Sequence, residues 1–142
     1  MAPTTSYYAV GPKQIVTQIV ITELQYRAIV TGEALSRFDV VYQDGSQVSR
    51  ARANNTNTMD GIGMAETDIS SGVPGNIVIR GRLVNTAWSL TSGGFIYVSP
   101  ATAGAITQTI PILSGQVVQR LGMALTTTSL ELNPEAGFTV AE

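Results

Sequence analysis

The chain has 142 residues, a formal net charge of −2, and neither cysteine nor histidine. This length fits a single domain with its own hydrophobic core, whereas the missing residue types exclude disulfides, thiolate metal sites and the commonest general base. The negative net charge argues against a nucleic-acid partner. We find no long apolar stretch and no leader pattern, so we expect a soluble, unprocessed protein that is not inserted in a membrane.

The N-terminal part of the chain divides into an irregular segment and a regular one. Residues 1–13 contain Pro3, Gly11 and Pro12 and show no sustained period, which predicts an extended arm. Residues 14–22 (QIVTQIVIT) alternate along their length and are rich in β-branched side chains, so we expect a strand. The β domain is therefore predicted to begin at residue 14.

Short alternating runs separated by turn formers continue as far as residue 132. Asp44-Gly45-Ser46 joins the runs at residues 38–43 and 47–53, which is typical of a tight hairpin. Residues 25–30 are predicted to form a strand or a single helical turn, and further strands are predicted at residues 62–66, 76–84, 95–99, 106–110, 116–125 and 129–132. Residues 14–132 then form one β domain and residues 133–142 a C-terminal tail. We expect an all-β fold, an antiparallel β-sandwich or jelly-roll-like barrel with an extended N-terminal arm; the pattern does not choose between the two.

One combination of residues occurs twice. Tyr42 lies about 20 residues before the quartet at 62–65 (IGMA), and Tyr97 lies about 25 residues before the quartet at 121–124 (LGMA). This spacing predicts an internal repeat of about residues 32–66 and 81–125. Chance similarity in a β-rich, glycine-rich chain is the alternative, since the quartets are short.

The sequence offers little catalytic apparatus. A serine triad would lack its histidine, and the Gly-x-Ser-x-Gly motif is absent. Asp60, Glu66 and Asp68 are the nearest carboxylates to one another, and a facing pair of acids could hydrolyse a glycosidic bond, but acids that flank a loop are normally just solvated. Residues 55–61 lack the acidic positions of a calcium loop. We expect no catalytic, cofactor-binding or metal-binding residues, and hence no enzyme.

Charged residues make up only 13% of the chain. This low fraction is typical of a surface that is buried against other subunits, or of an ordinary, weakly charged β protein. Arg50 with Arg52, and Arg80 with Arg82, are each spaced to share one face of a strand. These four could form a positive patch that contacts a partner's carboxylates. An exposed sheet face with weak salt bridges is the alternative.

Aromatic residues give a second set of candidates. Tyr7 and Tyr8 lie on the predicted arm, where contact with a neighbouring subunit is more natural than burial in the same domain. Trp88 is interpreted as a core residue, with stacking on a sugar face as the alternative.

Four runs in the second half carry a family resemblance: residues 81–88 (GRLVNTAW), 94–99 (GFIYVS), 104–109 (GAITQT) and 115–125 (GQVVQRLGMAL). Their pattern of glycine turns, an aromatic-ended strand and a terminal Gly-x-Ala strand resembles small β-rich proteins of tailed-bacteriophage virions. The resemblance covers roughly residues 30–132 and is closest to capsid decoration (cement) proteins and head-fibre domains. The first 25 residues do not take part in it.

This resemblance implies an accessory protein, made in the host cytoplasm, that binds the outer surface of the head. Such a protein commonly binds as a homotrimer and clamps neighbouring copies of the major capsid protein without a cofactor. The alternative is a receptor- or glycan-binding β module of a tail fibre or baseplate. That module would require an exposed aromatic and carboxamide cluster, for example around Trp88.

Overall fold

A computed structural model describes residues 24–141 and shows an all-β chain whose antiparallel sheet curls into a half-barrel. The predicted fold class, sandwich-like or barrel-like, is thereby confirmed. The predicted arm at residues 1–13 and the predicted strand at residues 14–22 lie outside the described residues. Within residues 24–141, no helix has the length and apolar character needed to cross a bilayer.

The strands follow one another with short connections. They are β1 (Gln25–Val30), β2 (Val40–Asp44), β3 (Gln47–Arg50), β4 (Gly61–Ala65), β5 (Pro74–Val84), β6 (Phe95–Val98), β7 (Ile106–Thr107), β8 (Val117–Val118), β9 (Arg120–Thr126), β10 (Ser129–Leu132) and β11 (Phe138–Thr139). A single turn of 3₁₀ helix covers Thr56–Thr58. The predicted hairpin is present, because β2 and β3 pair directly around Gly45, whose φ is 65°.

One long strand holds the sheet together. The order is β3-β2-β4-β5-β10-β9-β6-β7, and β1 also pairs with β5. Six of the first seven residues of β5, all except Ile79, pair with β1, and Ile77 and Val78 also pair with β4 on the other edge. Its last four residues pair with β10. β11, which lies in the predicted C-terminal tail, pairs with β8 of the predicted β domain in a separate two-stranded sheet.

Two hydrophobic clusters lie on opposite faces of β2, β4 and β5. The small core consists of Ile29, Leu35, Val41, Val48, Ala65, Ile69 and Ile77. The large core consists of Val40, Ala51, Ala53, Met64, Val78, Leu83, Ile96, Val98, Val117, Leu121, Ala124, Leu130 and Leu132. Neighbouring residues on one strand, such as Val40 and Val41, therefore enter different cores, because successive side chains point to opposite faces.

The small core is enclosed by the first strands of the described chain. Thr31, directly after β1, forms a parallel bridge with Val48 of β3, and the Gly32 amide donates to the Val48 carbonyl at 2.8 Å. A second bridge joins Leu35 to Ile69. These contacts bring β1 back toward β3, so that the first strands curl around the small core.

The same strand pairing occurs twice, with bounds that differ from those predicted for the repeat. We define the first unit as β2 to β5 and the second unit as β6, β7, β9 and β10; both have the same order across the sheet. Val41 is paired with Gly63 in the first unit and Ile96 with Gly122 in the second. In both units the register shifts directly before the tyrosine, Tyr42 or Tyr97.

Two details differ from the expected strands. Phe38 was expected in a strand but precedes β2, with φ at 73°. In a regular strand over residues 76–84, Leu83 would share a face with Ile77 and Ile79, yet it lies in the large core while they pack with the small core. Gly81, with φ at 126°, lies between Ile79 and Leu83, where the alternation of side chains between the two faces of β5 is interrupted.

The expected strand at residues 116–125 is divided into β8 and β9 by Gln119. This side chain is 1% exposed. Its amide accepts from the Gly61 N–H at 2.7 Å and donates to the carbonyls of Gly61 and Glu135 at 2.7 and 2.8 Å. The buried amide thus substitutes for ladder hydrogen bonds and connects the start of β4 to the C-terminal segment.

Gly63 and Gly122 test the equivalence of the two units. A methyl group at either position would overlap the backbone of the next strand, at the Val78 and Glu131 carbonyls respectively. Because backbone cannot move aside as a flexible side chain can, we expect Gly63→Ala and Gly122→Ala each to lower the free energy of unfolding by about 1–3 kcal/mol. Urea titration measures this. Thr127→Ala, at an exposed turn position, is the control and should stay within about 0.5 kcal/mol. A neutral effect at either glycine would contradict the shared geometry.

Candidate partner-binding surfaces

Arg50 is used inside the molecule. Its Nη1 lies 3.0 Å from Glu33 Oε1, its Nε lies 2.9 Å from Asp39 Oδ2, and its Nη2 donates to the Ala34 carbonyl at 2.7 Å. The hydrogen bond with Asp39 raises the pKa of Arg50 above its ordinary value, although burial acts in the opposite direction. This guanidinium therefore fastens the loop after β1 to β3.

Arg52 also makes an internal contact. Its Nε donates to the Pro100 carbonyl at 3.0 Å, and the residue is half-buried. Nearby, the Ala53 amide donates to the Ser99 carbonyl at 2.9 Å. Arg52 thus helps to join the segment after β3 to the turn after β6.

Arg80 and Arg82 are both exposed on β5. Across the sheet, Arg80 is paired with Gln25 and Arg82 with Glu131. Among residues 24–141, no ion pair within 4.0 Å involves either guanidinium. Two strands, β2 and β4, separate them from Arg50 on β3 in the order of the sheet. The four arginines therefore divide into an internal pair and a solvent-facing pair.

The predicted aromatic contacts divide in a similar way. Tyr7 and Tyr8 lie outside the described residues. Trp88 is half-buried and packs against the large core, with its ring centroid 4.9 Å from that of Phe38. This half-buried position agrees with the interpretation of Trp88 as a core residue, and it leaves only part of the ring open for stacking on a sugar.

The loop between β7 and β8 presents three large aliphatic side chains to solvent. Ile110, Ile112 and Leu113 are 50%, 76% and 64% exposed, and we refer to them as the apolar tip. Two hydrogen bonds close the Gln116 end of the loop. The Gln116 amide donates to the Leu113 carbonyl at 3.0 Å, and Gln116 Oε1 accepts from the Leu113 amide at 3.1 Å. Single exposed aliphatic residues are common, but three within four positions indicate a contact site.

A second surface covers the side of the second unit that faces away from the large core. Directly opposed residues share a face, and the register forms a row of Arg82, Glu131, Met123 and Phe95 across four strands. Phe95 and Met123 are 38% and 39% exposed. Leu125 and Val84 extend the row along their strands and are also exposed. We call these six residues the outer face.

A cation adjoins the outer face. The guanidinium carbon of Arg120 lies 3.8 Å from the centroid of the Phe95 ring, within the range of a cation–π interaction. Arg120 Nη1 also lies 3.7 Å from Glu135 Oε2. The Phe95 ring is therefore fixed from one side, and its other side remains partly open to solvent.

The three loop carboxylates serve local structure. Asp60 Oδ2 accepts from the Gly137 amide at 3.2 Å, Asp68 Oδ1 accepts from the Arg37 amide at 2.8 Å, and Glu66 Oε1 accepts from Asn76 Nδ2 at 3.3 Å. Asp60 also lines an open cleft of about 350 Å³ whose wall includes Glu135. Within residues 24–141, no three acidic side chains converge as a metal site would require.

Sequence reasoning missed both apolar surfaces. Residues 111–115 lie between two predicted strands, and the aliphatic residues around Pro111 were the signal that this connection exposes an apolar surface. No model of a known protein family matches the chain, and a search of curated proteins finds no match. The arguments for function therefore come from the two surfaces and the solvent-facing arginines.

The contrast between the arginines can be measured as stability. Arg50→Gln removes two carboxylate contacts and leaves Asp39 without its cation, so we expect the free energy of unfolding to fall by about 1–2 kcal/mol. Arg82→Gln is the matched control and should change it by less than about 0.5 kcal/mol. Urea titration of the two variants compares them. Equal effects would contradict the division of the arginines into internal and solvent-facing pairs.

Proposed function

We propose that this chain is a capsid decoration (cement) protein of a tailed bacteriophage. It binds the outer surface of the assembled head and stabilises the shell of the major capsid protein. The resemblance of residues 30–132 to such proteins supports the proposal, and so does an all-β framework that holds its contact loops in fixed positions.

The apolar tip is the observation on which the proposal depends. Burial of a large aliphatic side chain contributes roughly 1.5–3 kcal/mol relative to leaving it exposed. Since hydrogen bonds already fix the Gln116 end of the loop, docking into a pocket would lose little conformational entropy. A rigid loop with Ile112 and Leu113 at its end is therefore suited to anchor the protein in a cleft between capsid subunits.

Arg80 supplies the second part of the contact. Its guanidinium group is exposed and can approach carboxylates on the capsid surface, whereas Arg82 belongs to the outer face. Charges at the rim of an interface act mainly on the rate and register of association. Arg80 would orient the protein while the apolar tip supplies most of the affinity.

Stabilisation of the shell follows from mass action. A protein that binds the assembled shell but not free subunits shifts the equilibrium toward the shell. Many copies, each with a modest interface, add their effects over the whole particle. The chain needs no chemical step for this function.

The glycan-binding alternative has weaker support. It requires an exposed aromatic platform, and Trp88, its main candidate, packs on Phe38 at the edge of the large core. The apolar tip consists of aliphatic side chains, which bind protein pockets more readily than sugar rings.

Binding to heads that lack this protein tests the proposal. The double variant Ile112→Asp/Leu113→Asp places two charges at the apolar tip, and we expect its affinity for such heads to fall at least about 10-fold because both anchors are lost. Co-sedimentation with purified heads measures it. Ser114→Asp is the matched control, since it adds a charge at the neighbouring exposed position and should bind as the wild type does.

Thermal melts show whether each variant remains folded, which we expect because the substituted positions are exposed. The proposal would be wrong if the double variant bound heads as tightly as the wild type. It would also be wrong if the wild-type protein bound tails and not heads.

A further inference from the structure

The large core is an interface between the two units of the chain. Val40, Met64 and Val78 come from the first unit, and each is at most 1% exposed. They belong to the same cluster as Ile96, Ala124 and Leu130 of the second unit. The second unit therefore covers one face of the first.

The matched registers identify the corresponding face of the second unit. Val40 is paired with Met64 in the first unit, as Phe95 is paired with Met123 in the second. Met64 is in turn paired with Val78, and Met123 with Glu131. The outer face of the second unit is thus equivalent to the face that the first unit buries.

The two ends of this arrangement differ. The far side of the first unit is closed by its own chain, since Ile29 of β1 and the bridged residues Leu35 and Ile69 cover the small core. The outer face at the other end carries Phe95, Met123, Leu125 and Val84, all exposed. Terminal faces of stacked repeats are normally polar, so this apolar face has the composition of an interior surface.

We propose that the outer face binds the outer face of a second copy of this chain, and that the two copies form a two-fold symmetric dimer. Head-to-tail stacking would need an open face at both ends, and the first unit offers none within the described residues. Pairing of the two open faces is self-complementary and closes after two copies.

The charges of the outer face fit this pairing. Arg82 and Glu131 are neighbours in the row, and Arg120 adjoins Phe95. A partner with charges of one sign would leave either the cations or the carboxylate facing a like charge. A second copy brings both signs, so cations of one copy can approach the carboxylate of the other around the apolar residues.

Mass in solution tests the dimer. For the full chain at about 50 µM, well above the micromolar range in which modest interfaces dissociate, we expect light scattering to give twice the chain mass of 15.0 kDa, about 30 kDa. Met123→Glu should halve this mass, because it introduces a charge at the centre of the pairing. Thr127→Glu, at an exposed turn position on the same hairpin, is the matched control and should remain dimeric.

A milder variant guards against a folding defect in Met123→Glu. The chain has no cysteine, so Met123→Cys provides a single thiol. A bifunctional maleimide should link two copies of this variant in high yield, whereas Thr127→Cys should give little linked product.

Three results would overturn the proposal. The first is a wild-type mass of one chain or of three chains, the latter being the assembly that the resemblance to decoration proteins implies. The second is a dimer that Met123→Glu leaves intact and Met123→Cys does not cross-link. The third is a monomeric wild type that dimerises once residues 1–23 are removed, since that result would assign the outer face to this segment of the same chain.

Discussion

The double burial of β5 is the constraint on which the rest of the fold depends. Ile77 enters the small core and Val78 enters the large core, so the centre of this strand is apolar on both faces. Its backbone pairs with β1 and β4 at Ile77 and Val78 and with β10 along its last four residues. A strand that supplies two cores and three neighbours cannot be displaced without opening both units, and the units are therefore expected to unfold together.

The sequence predicted the features that are determined by residues close together in the chain. The alternation of apolar and polar residues, together with the turn residues, predicted the all-β class and the hairpin at Gly45. Alternation could not assign Leu83 to a core, because Gly81 interrupts the pattern between Ile79 and Leu83. It could not predict the buried amide of Gln119 either, since a polar residue in a strand pattern normally faces solvent. The hydrogen bonds that compensate its burial come from residues distant in the chain.

The candidate surfaces were harder to predict for a related reason. The two Gly-Met-Ala segments are identical in sequence, yet Met64 is 1% exposed and Met123 is 39% exposed. The two methionines differ because the second unit covers the face that carries Met64, whereas the corresponding face with Met123 is exposed. Likewise, Arg50 and Arg82 have the same local pattern, but Arg50 meets two carboxylates that the loop after β1 brings to it. The division between internal and solvent-facing residues is thus a property of the tertiary structure.

Native-state hydrogen exchange measures most directly whether the two units share one cooperative core. If they do, the protected amides of β4 and β5 and those of β9 and β10 exchange through the same global opening, with equal free energies and equal sensitivity to urea. If β9 and β10 exchange through a separate opening that requires much less free energy than the opening of β4 and β5, the second unit is independent. That result would contradict the shared core, and with it the equivalence of faces from which the outer face was identified.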